Sequence, residues 1–453
     1  MIHEELTAAS RGRFIAGAGL LLVGLVGAAL ALPRPMRPPA EAWAAPDLEV
    51  KNASIRWFED KLAADPTNPL LAAHLTSRYM GRFQLTGDLD DMRKAERLAE
   101  GLVPLSRDQA RAWTRVSGVL LARHAFGDAL QAARRAVAAG SGDTEAWGAL
   151  YDAAFAAGRY EEAERALTRL EPGVARRVRE AFWLKARGET ERAAARLEGA
   201  CRAIGKWDGR ETMEAWCLTE LGHLELVRRG SKAAAFFYGS ALRAFPGYRA
   251  AVEGLADLAH AHGDWEEAER LYLRIAVDAH PDLYLRLAEI RRMWGDPAGA
   301  ARWEREFLRV AAEPDVEVLY AHPLALHYAE RPETRDLALA VALRDVDSRP
   351  TVESWDILAW VRFRRGELGE ALAASDRAFA WGAPSPTMEF HRARILAALG
   401  RDREATLLFE QALAEPALLA PEVRLELRPD ADPGRIQRSP FRCRVRGGPD
   451  LLR

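Results

Sequence analysis

Apolar positions in this chain fall in paired runs of helical spacing, each pair broken by a short polar turn and repeated about every 34 residues. One copy runs Glu145-Ala146-Trp147-Gly148-Ala149-Leu150-Tyr151 into Ala157-Gly158-Arg159-Tyr160-Glu161-Glu162-Ala163. A second carries Ala261-His262-Gly263-Asp264-Trp265-Glu266-Glu267-Ala268. A third runs Glu353-Ser354-Trp355-Asp356-Ile357-Leu358 into Arg365-Gly366-Glu367-Leu368-Gly369-Glu370-Ala371. The pattern predicts helix–turn–helix units. The small residue recurs at Ala95, Ala129, Ala163, Ala193, Ala234, Ala268, Ala300, Ala371 and Ala405. Near Pro332 the spacing is kept, with Arg331-Pro332 in place of the turn glycine and Leu337 in place of the alanine.

Each recurring residue has a physical task. Alanine at the contact lets two antiparallel helices approach closely, which a larger residue prevents. Glycine past the helix end takes the left-handed conformation. Asp88, Asp264 and Asp296, just after such glycines, are placed to cap the next helix. Glu161-Glu162 and Glu266-Glu267 fall in first turns, where the helix dipole favours negative charge. One unit cannot bury its apolar face alone, so neighbours stack into a quasi-linear body.

These residues resemble the tetratricopeptide repeat family. Trp147, Leu150, Gly158, Tyr160, Ala163 and Leu167 match its pattern in one unit. Leu221, Gly222, Ala234, Tyr238, Ala241 and Pro246 match in another, and Leu255, Ala256, Gly263, Trp265, Ala268 and Tyr272 in a third. The resemblance covers about residues 55 to 416. It implies an all-α, right-handed α-α superhelical solenoid of about ten such helix pairs, placed here at 47–420. Two departures stand out. The 85–95 connection reads as longer than usual, and the step from Ala193 to Ala234 stretches to 41 residues, a loop or a helix extension.

The N-terminus adds a different element. Phe14 to Leu32 is 19 residues without a charge, preceded by Arg11 and Arg13 after a cytoplasmic stretch at 1–13. That length reads as one transmembrane anchor or a cleavable signal segment. Five prolines in 33–46 then read as a stiff linker. Beyond Pro416 the period fails, and 421–453, rich in Pro and Arg, reads as a basic, disordered tail. Only 6 of the 64 basic residues are Lys, in keeping with a GC-rich bacterial genome. The expected location is a bacterial inner membrane with the repeats in the periplasm, or the periplasm itself after signal cleavage. A reversed, cytoplasm-facing topology is the alternative.

Net charge of −2 gives no basic excess, so a dedicated nucleic-acid binder is excluded. The chain has no phosphate-binding loop, His-Glu-x-x-His, Gly-x-Ser-x-Gly or Cys-x-x-Cys. No cofactor, metal or small-molecule substrate is expected, and the chain reads as non-enzymatic. Cys201 and Cys217 flank the irregular step, where helix ends meet; they form either a disulfide or two small buried side chains.

The resemblance also implies where a protein partner sits. In this family the first helix of each unit lines a concave groove. Carried over, its positions fall on Glu145, Asp152, Thr219, His223, Glu253, Asp257, His260, Asp282, Glu289, Glu353, Asp356 and Trp360. Their acids predict a partly negative trough. The Lys and Asn clamp that related proteins place on a C-terminal carboxylate is absent from these positions. The expected function is a protein–protein interaction scaffold in an envelope assembly or export process. The alternatives are a membrane adaptor on the cytoplasmic side and a substrate-recruiting subunit for a separate enzyme.

Overall fold

The structure, a computed structural model, describes residues 45–140, 142–206, 211–275, 281–313, 316–414, 416–420 and 423. It is helical throughout, with no strand among the described residues. A lone opening helix, α1 (Ala45–Ala64), precedes ten helix pairs. These are α2 (Pro69–Thr86) with α3 (Leu89–Leu105), α4 (Gln109–Ala122) with α5 (Phe126–Ala139), α6 (Thr144–Ala156) with α7 (Tyr160–Thr168), α8 (Val174–Ala186) with α9 (Thr190–Ile204), and α10 (Glu211–Arg229) with α11 (Ser231–Ala244). Then come α12 (Arg249–Ala261) with α13 (Trp265–Arg274), α14 (Asp282–Met293) with α15 (Pro297–Ala311), α16 (Ala321–Ala329) with α17 (Arg335–Ser348), α18 (Val352–Arg365) with α19 (Leu368–Ala378), and α20 (Pro386–Ala398) with α21 (Asp402–Ala412).

The recurring alanines sit where helices cross, and all nine are buried. Glycine closes the turns: Gly158, Gly263 and Gly366 all hold positive φ. Asp264 accepts from Glu267 N–H and Asp296 from Gly299 N–H, each capping the second helix of its pair. Asp88 does the same for Asp90 N–H, so the 85–95 connection is an ordinary short turn and α3 starts at Leu89. Around Pro332 the alanine role passes to Ala338, which is buried, while Leu337 is exposed. A 3-10 turn at Pro332–Thr334 replaces the glycine and moves the register by one residue. The 41-residue step lengthens helices: α9 runs to Ile204 and α10 has 19 residues.

One expectation is corrected. Among the described residues no helix is long and apolar enough to cross a membrane. Even α1, at 20 residues, carries Glu49, Lys51, Arg56, Glu59, Asp60 and Lys61. The segments 1–13 and 14–32, most of the 33–46 linker and all but Val423 of the 421–453 tail lie outside the described residues. The preceding transmembrane or signal helix, the membrane as a partner and the inner-membrane location therefore do not enter the account below.

The coil closes on itself. Trp381, in the turn between α19 and α20, stacks on Tyr160 with centroids 3.6 Å apart and meets Phe155 and Trp183 edge-on. Ala383 N–H donates to the Ala186 carbonyl at 3.0 Å, and Val352 N–H to the Tyr160 hydroxyl at 3.3 Å. The latter spans 192 residues, roughly five to six repeat lengths. Gly158 permits this approach: a Cβ there would lie 2.6 Å from the Pro350 carbonyl oxygen. Trp381→Ala removes the stacked ring from a half-buried site and should cost about 2–3 kcal/mol. Small-angle scattering should show a larger radius of gyration with helicity retained. An unchanged radius and melting temperature would mean that this contact does not hold the coil.

Candidate functional site

First helices pack on one another along the array: α4 on α6, α6 on α8, α10 on α12, α16 on α18 and α18 on α20. Elements on the inside of a curved stack lie closest together, so first helices make the inner wall. Second helices face outward and expose Phe236, Leu337 and Leu407.

Ion pairs stitch the inner wall from one unit to the next. The Arg179 guanidinium on α8 donates twice to the Asp152 carboxylate on α6, at 2.9 and 2.6 Å. Both side chains are nearly inaccessible, at 3% and 7% exposure. His260 on α12 lies 3.4 Å from Glu289 on α14. His391 on α20 bonds to Asp356 on α18 at 2.9 Å, and the Trp360 ring stacks on His391 at 4.2 Å. His223 sits 3.7 Å from Glu220, both buried.

The middle of the wall concentrates charge. Glu253 on α12 is buried beside Arg249, Asp257, Asp282 and Arg286. Burial first, then repulsion from Asp282 and Asp257, pushes its carboxyl up to about 8 against the pull of Arg249 and Arg286. Asp257 accepts the Tyr272 hydroxyl at 2.6 Å and lies 3.8 Å from Arg286. Thr219 is buried and donates to the Ala215 carbonyl. Glu145 alone of the sequence-derived groove positions is exposed, whereas Asp257, Asp282 and Glu353 are half-buried and the Asp152 side chain is nearly covered. His223, Glu253, His260, Glu289, Asp356 and Trp360 are buried.

These positions were chosen as a lining, and the structure brings most of them together as joints between units. The partners Arg179 and His391 escaped sequence reasoning. A signal was present: they follow Asp152 and Asp356 by 27 and 35 residues, close to one repeat. An acid and a basic or imidazole side chain about one period apart mark neighbouring first helices.

Cys201 on α9 and Cys217 on α10 are joined by a disulfide across the lengthened connection. The bridge closes a 16-residue separation, for which chain entropy gives about 3 kcal/mol. Reduction should lower the stability of the unaltered chain by that order and leave a Cys201→Ala/Cys217→Ala variant unmoved. Equal denaturation midpoints with and without reductant would show that the bridge contributes nothing. Among the described residues no group of His, Cys, Asp and Glu is arranged to hold a metal ion.

No family model and no curated protein matches the chain. Solved structures do. The chain is similar to the human IFIT1 dimer with PPP-AAAA, at 14% identity over 69% of this chain and 72% of that one, TM-score 0.44. It is also similar to yeast Tom70, at 13% identity over 80% and 88% of the two chains, TM-score 0.33. A tetratricopeptide repeat protein from Parabacteroides merdae shows 17% identity over 53% and 91%, TM-score 0.31.

Proposed function

We infer that the chain is a non-enzymatic interaction scaffold whose inner wall holds an extended segment of a protein partner. The observation that carries this reading is that the wall already accommodates a stretch of chain outside the repeats. Residues 417–420 and Val423, beyond the last helix pair, lie buried among residues of the first helices α10, α12, α18 and α20 and of the second helices α11 and α21. The wall therefore has the width and apolar floor that a peptide segment needs. Ion pairs between units fix the spacing of the first helices, which gives the wall a defined shape before a partner arrives.

The Cys201–Cys217 bridge supports an oxidising compartment, and with it an assembly or export role. A subunit that recruits substrate for a separate enzyme would use the same wall.

The test places a photo-crosslinking residue in the full chain at Glu145 or Glu353 on first helices, and at Phe236 or Leu407 on second helices. Partner adducts from the native cell extract should form at the first pair of positions. Adducts confined to Phe236 and Leu407 would sink the reading.

A further inference from the structure

After α21 the chain turns back through a 3-10 turn at Pro416–Leu418 and crosses the inner wall. Ala417 and Leu418 pack with Leu226, Tyr238, Ala251 and Leu258 around α10 to α12. Leu419, Ala420 and Val423 pack with Trp360 on α18, Phe390 on α20 and Phe409 on α21. Leu419, Ala420 and Val423 are each 1% exposed. The Ala420 N–H donates to Thr387 Oγ1 on α20 at 2.8 Å. One short segment thus touches both first and second helices, α10 to α12 in the middle of the array and α18, α20 and α21 at its end.

We propose that residues 417–420 and Val423 are an internal occupant of the groove, and that its partner carries a segment of the same chemistry, two leucines flanked by alanines followed by a β-branched residue, which displaces it. This rests on the scaffold reading and specifies its ligand. The contacts are of the kind a second chain can reproduce. Side chains no larger than leucine enter a floor of Trp360, Phe390, Tyr238 and Leu258, and one backbone N–H is read by the Thr387 hydroxyl. None of the five buried side chains is charged, so the ligand is selected by shape and apolar area. A tethered segment competes at an effective concentration on the order of millimolar. Only a partner that binds the open groove tightly, or arrives in multiple copies, replaces it.

The experiment uses the full chain and a fluorescein-labelled peptide copying residues 416–423. The peptide should bind the unaltered chain weakly, because the site is filled. In Leu418→Asp/Leu419→Asp, buried carboxylates expel the segment, and peptide affinity should rise about tenfold or more as the competent fraction approaches one. Leu418→Ala/Leu419→Ala should move affinity in the same direction by less, and serves if circular dichroism shows the aspartate variant unfolded. Amide exchange reads the same event directly: Ala420 N–H should be protected in the unaltered chain and lose protection under saturating peptide. Equal affinity in the unaltered chain and both variants overturns the proposal. So does lowered thermal stability with no gain in peptide binding, which would make the segment a cap on the last repeat. If either result appears while partner adducts still form at Glu145 and Glu353, the scaffold reading stands and only the identity of the ligand falls.

Discussion

Asp152→Ala should destabilise the chain by about 3–5 kcal/mol, since it leaves the Arg179 guanidinium buried without its counter-charge. The cost exceeds that of any surface ion pair here, because the exposed pairs are screened and their side chains are free to move. Burial pushes the Asp152 carboxyl up, and the attraction of Arg179 together with its two hydrogen bonds offsets only part of that rise. The double change Asp152→Ala/Arg179→Met should recover most of the loss, because both buried charges are then gone. Denaturant unfolding of the single and double variants checks this. A single variant within about 1 kcal/mol of the unaltered chain would show the joint between α6 and α8 to be energetically idle. A local effect is expected, since repeat stability is a sum of units and their interfaces.

A second large effect concerns pH. Glu253 has its carboxyl raised to about 8 from an ordinary 4.5, so the folded chain holds a proton there that the unfolded chain releases. The unfolded state binds fewer protons between those values, and stability must fall as pH rises through that window. A shift of that size corresponds to about 5 kcal/mol, lost progressively until pH passes the folded value. Glu253→Gln mimics the protonated form. It should flatten the curve between about pH 5 and pH 9 and exceed the unaltered chain in stability at the alkaline end. Thermal melts across that range decide it. An unaltered chain that is equally stable at both ends, or a glutamine variant that keeps the slope, would place the titration elsewhere.

The repeat was legible because its signals are local. Alanine at a crossing and glycine after a helix each answer to the few residues around them, so Ala163, Gly158 and Asp264 could be placed from their neighbours. The slip at Leu337 has the same origin, since a 3-10 turn that moves the register by one leaves no mark in the spacing. The burial of the wall residues was not legible. The family pattern says which helix faces inward. It does not say how tightly adjacent first helices approach or which charge meets which. Asp152 and Asp356 read as the lining of a negative trough, whereas each meets a partner one unit away, Arg179 and His391. The return of residues 417–420 across the wall depends on the curvature of the whole array, which no short window of sequence records.

The contact of Trp381 with Tyr160 and Trp183 changes how the chain tolerates being shortened. In an open array, terminal units can be trimmed with only one neighbour left bare. Here a truncation ending at Arg349 would uncover aromatic rings on α7 and α8 and create a sticky patch far from the cut. Loss of binding or solubility in serial deletions would then report the missing buttress, and point mutations are the sounder way to map the partner.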